Sequence, residues 1–229
     1  MNKKHGLFIA IDGIDGSGKG TQVKRLITRL QDEKYASAFW TSPRYGKPEA
    51  FFIENYLRGE YGTKEEISAK AASLCFAMER FHSSREIRSI LLENKVLVSD
   101  RWTSANKGHQ MAKLHSSEEK RAFLDWINEI EYDILRTPKP DHTILMNMPA
   151  DIAYDLIAKK DERAYLNGKV RDIHEMDPAF LKASQEAFLF AAEYDTKETW
   201  HVLHCVENGT VLSIDNMHEK LWELVKTFM

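Results

Sequence analysis

The residues Gly13-Ile14-Asp15-Gly16-Ser17-Gly18-Lys19 place glycines and a lysine in the spacing G-x-x-x-x-G-K, which suits chemistry on phosphate. Glycines let the main chain curl so that its N–H groups converge on phosphate oxygens, and a helix that follows adds the positive end of its dipole. Lys19 would reach the phosphates at which charge builds during transfer. The expected nucleotide contacts are therefore Gly13, Ile14, Asp15, Gly16, Ser17, Gly18, Lys19, Gly20 and Thr21. Gly20 stands where such loops commonly carry the Ser or Thr hydroxyl that ligates Mg²⁺. The metal must then rely on phosphate oxygens, waters and a second acid, for which Asp100 is the candidate, directly or through water.

Asp100 and Arg101 close the apolar run Val96-Leu97-Val98-Ser99, at the strand end that faces the ligand crevice in a doubly wound sheet. A second pair lies on a long helical segment. There Ile67, Ala71, Leu74, Met78 and Phe81 form one apolar stripe at alternating spacings of four and three, while Phe76 and Arg80 share the other face. A phenylalanine one turn from an arginine could stack on a base while the arginine bonds its edge. Ile87, Ile90 and Leu91 also fall on that second face, so the helix is either buried on both sides or broken near Ser83-Ser84.

Short apolar segments must position these groups: Leu7 to Ile11, Ala38 to Trp40, Val96 to Val98, Thr143 to Met146 and His201 to Cys205. Helical periodicities lie between them, at Val23, Leu26, Ile27 and Leu30, and from Ile214 to Phe228. Ser116 to Glu119 is a capping box, and Asp177-Pro178 supplies an N-cap with a first-turn proline. Strands alternating with helices imply an α/β fold with a parallel five-stranded sheet flanked by helices, and 229 residues suit a single domain. The charged stretch Lys159 to Asp177, with few apolar residues, reads as a mobile lid or as a solvated loop. His201 and His204, three apart on a strand, face opposite sides and suit structural roles.

Composition narrows the partners. The net charge of −3 offers no general attraction to a nucleic-acid polymer, so an anionic ligand must be held by local basic groups. No apolar run approaches the ~20 residues needed to cross a bilayer, and the N-terminal residues lead into a strand rather than a secretory signal, so a cytoplasmic location is expected. Cys75 and Cys205 form no metal or redox motif and read as reduced thiols; Asn208-Gly209-Thr210 reads as a turn.

Asp-Gly-Ile-Asp-Gly before Ser17, Phe76-Ala-Met-Glu-Arg80, Asp100-Arg101-Trp102 and the run ending at Gln110 resemble the thymidylate kinase family of P-loop NTPases, over nearly the whole chain. The run from Gly16 to Gln22 is also similar to adenylate kinases. The thymidylate kinase resemblance implies direct in-line transfer from ATP with Mg²⁺ to dTMP, and a homodimer in many members. It implies that Asp15 meets the sugar 3′-hydroxyl, that Arg44 and Arg101 hold the acceptor phosphate, and that Phe76 stacks on thymine. Arg80, Asn106 and Gln110 would line the base and sugar pocket, and Ser42-Pro43-Arg44 is similar to the family's phosphate-contact loop. Trp102, Ala105, His109 and Asn147 depart from the family's pattern. Some members carry a catalytic arginine in the P-loop and others in the lid. Gly16 holds the loop position here, so Arg163 and Arg171 are the candidates, supported by Lys169, although Arg171-Asp172 could equally form a local ion pair. A kinase of another (deoxy)nucleoside monophosphate, or a nucleotide-binding regulator without turnover, are the alternative functions.

Overall fold

The computed structural model describes residues 6–63, 65–93, 95–165 and 177–229. Five parallel strands form the sheet: β1 (Leu7–Asp12), β2 (Ser37–Thr41), β3 (Val96–Asp100), β4 (His142–Asn147) and β5 (Trp200–His204), in the order β2-β3-β1-β4-β5. Each expected apolar segment becomes one of these strands. The central strand shows why the sheet is covered on both sides. Phe8 and Ala10 join Trp40, Ile87, Leu97 and Trp102 on one face, whereas Ile9 and Ile11 join Val23, Leu26, Ile144 and Leu221 on the other. Alternation with a period of two therefore feeds two cores from one strand.

Eight α-helices surround the sheet among the described residues: α1 (Lys19–Asp32), α2 (Phe51–Leu57), α3 (Ala69–Leu92), α4 (Thr103–His109), α5 (Ser117–Asn128), α6 (Ala150–Tyr165), α7 (Pro178–Tyr194) and α8 (Ile214–Lys226). The capping box at Ser116 and Glu119 forms as read, and Asp177 caps α7 through the N–H groups of Ala179 and Phe180. A small hairpin, β6 (Val206–Glu207) with β7 (Thr210–Val211), turns through Asn208 and Gly209, both at positive φ. The charged stretch from Lys159 begins as the end of α6, which runs to Tyr165; Lys169 and Arg171 lie outside the described residues.

The helix bearing Phe76 and Arg80 corrects the sequence reading. It is unbroken through Ser83 and Ser84, and its apolar stripe faces outward: Leu74, Met78 and Phe81 are each more than two-fifths exposed. Buried instead is the face with Ser73, Ala77, Glu79, Arg80, Ser83, Ser84 and Ile87. Polar side chains can face inward because each finds a partner. Ser73 and Ser84 donate to the carbonyls of Ala69 and Arg80, Ser83 donates to Glu79, and Arg80 meets Glu131.

Candidate active site

The C-terminal ends of β1, β3 and β4 open onto one cleft of about 1350 Å³. That exceeds the roughly 300–1,000 Å³ of a typical single-ligand pocket, so the space suits two bound molecules. The loop from Asp15 to Thr21 lines one part, beside Leu156, Ile157, Leu212, Ile214 and Met217. Arg44, Phe76, Arg80, Arg101, Asn106 and Gln110 line the other. All of the residues expected from sequence on the acceptor side thus border one cavity, although they come from four separate stretches of chain.

The phosphate loop is shaped by close contact. Gly13, Gly16 and Gly18 all have positive φ, and a Cβ at Gly16 would stand 2.4 Å from the carbonyl oxygen of Ala153 on α6. The loop therefore has no room for a side chain at that position. Gly18 opens α1 from the left-handed region, and because the loop from Asp15 to Thr21 lines the cleft, the positive end of the α1 dipole stands at its edge.

Two cations converge on one carboxylate. Lys19 Nζ lies 3.3 Å from Asp15 Oδ1, and Arg101 Nη2 donates to the same oxygen. Arg101 adopts a left-handed backbone (φ 66°) directly after β3, with its N–H held by the carbonyl of Ile11. This non-glycine strain turns the guanidinium from the strand toward the loop. Burial works against the charge on Asp15, but Arg101 and Lys19 outweigh it and hold the carboxyl well below the usual range. Burial and Arg101 pull the Lys19 ammonium down, with Asp15, Asp100 and Asp12 opposing them. The Arg101 guanidinium is raised, because Asp15, Asp12 and Asp100 overcome its desolvation.

Asp100 meets the test of a metal-shell carboxylate. Its Oδ1 is buried with no hydrogen-bond partner among the described residues, and its Oδ2 stands 3.6 Å from where a Cβ on Gly20 would sit. A side chain at Gly20 would thus stand in contact with this carboxylate, and Ser17 Oγ is a second buried atom without a partner among the described residues. A hard divalent cation suits such an oxygen site. No cluster of three or more His, Cys, Asp or Glu side chains gathers there among the described residues, so phosphate and water oxygens would complete the shell.

The acceptor side shows how far sequence could reach. Arg44 follows a cis Ser42-Pro43 bond, lies over the Trp40 ring and pairs with Glu49 at 2.7 Å and Glu86 at 3.0 Å. Phe76 packs edge-on to Tyr56 beside the cavity. Asn106 Nδ2 donates to the carbonyl of Ser73, while Gln110 Oε1 is buried without a partner among the described residues, an acceptor ready for an N–H group. Arg80 borders the cavity but is only 1% exposed, with Nε and Nη2 both turned to Glu131, so its part in reading a base edge is restricted.

Sequence reasoning missed four contributors. Asp12 is fully buried at the end of β1, accepting from the N–H of Gly13 and from Ser104 Oγ at 2.8 Å; burial raises its pKa against Arg101 and Lys19. Glu79, raised chiefly by burial, accepts from Ser42 Oγ at 2.7 Å and so ties the cis-proline loop to α3. Ser104 and Glu131 complete these links. Position beside a motif was a usable signal for Asp12 and Glu79; Glu131 had none, since it meets Arg80 across 51 residues. Trp102, placed next to Arg101 in sequence, is core rather than site: it packs edge-on to Phe8 and donates to the carbonyl of Pro138. His201 and His204 contact different partners, His142 and Asn147.

A family model for thymidylate kinase matches residues 11–208, spanning the phosphate loop and every acceptor-side residue named above. The chain belongs to the thymidylate kinase family. Among thymidylate kinase relatives, that of Mycobacterium tuberculosis is 31% identical over 172 residues, covering 75% of this chain and 78% of the relative. The thymidylate kinase of Symbiobacterium thermophilum is 30% identical over 173 residues (74% and 75% covered), and that of Chromobacterium violaceum 29% over 186 residues (80% and 83%). The five-stranded parallel sheet is the P-loop α/β fold of this thymidylate kinase family.

Proposed function

We infer that the protein is a thymidylate kinase that transfers the γ-phosphoryl group of ATP to the 5′-phosphate of dTMP. The observation that carries this reading is the convergence of Lys19, from the donor loop, and Arg101, from the end of β3, on Asp15 within one cleft. Transfer between two anions needs fixed positive charge between them, and this pair supplies it where the two halves of the cleft meet. Mg²⁺ supplies charge compensation on the phosphates when bound. Asp100 is the carboxylate that would hold it, supported by its unpartnered buried oxygen beside Gly20.

Lys19 is assigned to the donor phosphates, and Arg101 with Arg44 to the acceptor phosphate. Asp15 releases its cations to phosphate and is then free to accept from the sugar 3′-hydroxyl. Phe76, Asn106 and Gln110 form the base side, with the orphaned Gln110 Oε1 as an acceptor for a base N–H. The acceptor oxygen is already anionic, so the reaction needs no strong general base and no covalent intermediate. A further cation is assigned to Arg163 or Arg171. The steric closure at Gly16 supports this choice, because an arginine there would collide with Ala153.

We also propose a homodimer through the exposed face of α3, supported by the outward Leu74, Met78 and Phe81 beside exposed Phe51 and Phe52 on α2. Sedimentation of Phe81→Glu should then give monomers. A cytoplasmic setting is supported by two cysteines that are both free; burial pushes the Cys205 thiol up to about 12. No described helix is long and apolar enough to cross a membrane.

The deciding experiment measures Mg²⁺-dependent ADP formation from ATP with dTMP, dUMP, dCMP, dGMP, AMP and UMP. Highest kcat/KM with dTMP is expected. Preference for another acceptor would replace the substrate assignment, and ATP binding without acceptor-dependent ADP would replace the enzyme assignment.

A further inference from the structure

We propose that His109 is a positioning residue for the acceptor-phosphate arginine, acting as the hydrogen-bond acceptor that holds the second arm of Arg101. The proposal rests on the assignment of Arg101 to the acceptor phosphate.

The geometry comes from three elements. Arg101 Nη2 is taken by Asp15, and Arg101 Nη1 meets His109 Nε2 at the last residue of α4. Arg101 carries its charge throughout, so Nη1 is the donor and Nε2 must present its lone pair. His109 is thereby fixed as the neutral tautomer with its proton on Nδ1. The ring itself is clamped: it stacks on Phe180 (6.4 Å, 20°) and meets Phe188 edge-on (5.2 Å, 85°), both from α7. The packing beneath it leaves no slack, since a Cβ on the preceding Gly108 would come within 2.2 Å of the Phe188 ring.

This clamp answers a need created by Asp15. A guanidinium held only by that carboxylate would swing away once phosphate or the sugar hydroxyl displaces it. His109 offers an acceptor without a negative charge, so it orients Nη1 and leaves the guanidinium's charge for the incoming phosphate. A carboxylate at position 109 would compete with that phosphate, and a phenyl ring could not accept. Among the described residues, the charged and titratable groups facing this pair are Asp15, Asp12 at 3.9 Å from Nη1, Asp100, Lys19 and Tyr45. Proton uptake at Nε2 would remove the acceptor and place two cations together.

The test compares His109→Phe, which keeps a stacking ring without an acceptor, with His109→Gln, whose amide oxygen can occupy the place of Nε2. Loss of a hydrogen bond to a charged group predicts a rise of about tenfold or more in KM for dTMP in His109→Phe, with KM for ATP unchanged. His109→Gln should stay within a few-fold of wild type. Between pH 5.5 and 8, the wild-type KM for dTMP should fall more steeply with rising pH than that of His109→Gln; ionisation of the dTMP phosphate itself is common to both. A wild-type KM in folded His109→Phe overturns the proposal, as does equal impairment of both variants. If His109→Phe fails to fold, the pH profile of His109→Gln decides: a flatter slope than wild type supports the proposal, and a parallel one overturns it. Arg101→Ala separates the underlying assignment, which fails if that variant keeps the wild-type KM for dTMP; the present proposal alone fails if Arg101→Ala loses affinity and His109→Phe does not.

Discussion

Two charge clusters flank α4, and they are built to different rules. In the interior, Lys107 is wholly buried between Asp195 and Glu198. Glu198 also accepts from Thr103, Tyr132 and Thr143, and Asp195 accepts from Asn128, Trp200 and the N–H of Lys197. Around the phosphate loop, by contrast, one oxygen of Asp15 serves both Lys19 and Arg101, while Asp100 Oδ1 and Ser17 Oγ have no partner among the described residues. The ammonium and both carboxylates of the first cluster have partners, and they hold α4 in place. The second is left short of partners, and its deficit matches what nucleotide phosphates and a metal would bring. Satisfaction of hydrogen bonds, rather than charge or burial, distinguishes scaffold from site here.

The sharpest way to break this contrast is Lys107→Ala. It strands two buried carboxylates, and a stability loss of about 3–5 kcal/mol in urea unfolding is expected. A loss under 1 kcal/mol would mean the interior network is not structural. Lys19→Ala should do the reverse, lowering turnover by about 10²–10³-fold while unfolding stays within about 1 kcal/mol of wild type, since Asp15 keeps Arg101. Near-normal turnover in that folded variant would remove Lys19 from the chemistry.

A smaller effect concerns acid. Asp15 and Asp195 both have depressed pKa values: burial opposes their charge, but Arg101 and Lys19 in one case, and Lys107 in the other, outweigh it. A depressed carboxylate contributes stability that is complete above its unfolded value of about 4 and is lost as pH falls below it. In nucleotide-free protein, Asp15→Asn should therefore flatten the decline of unfolding free energy below about pH 4. An unchanged slope would show that Asp15 carries little of that linkage.

The phosphate loop was readable because its function is local: seven consecutive residues curl the chain around an anion, and the flanking strand and helix have their own periodicities. The face of α3 was not. Leu74, Met78 and Phe81 repeat as a core stripe should, yet they lie outward, because Glu79, Arg80, Ser73 and Ser84 find partners on the inner side that offset the cost of their burial. Amphipathicity indicates which residues share a face; the direction of that face depends on distant partners. His109 was noticed only as a departure from a pattern, since its bond to Arg101 needs the turn after β3 and the packing of α7 together.

What the sequence by itself determined was the strand set, the parallel α/β architecture and the phosphate loop, all encoded in short-range spacing, whereas the acceptor-side residues were named through the resemblance to a family. Only the tertiary structure decided which cations share Asp15, why Gly16 admits no side chain, and that Lys107 belongs to the scaffold while Lys19 belongs to the site. Those outcomes depend on distances between groups as far apart in sequence as Gly16 and Ala153, and charge interactions and steric limits are set by distance in space rather than along the chain.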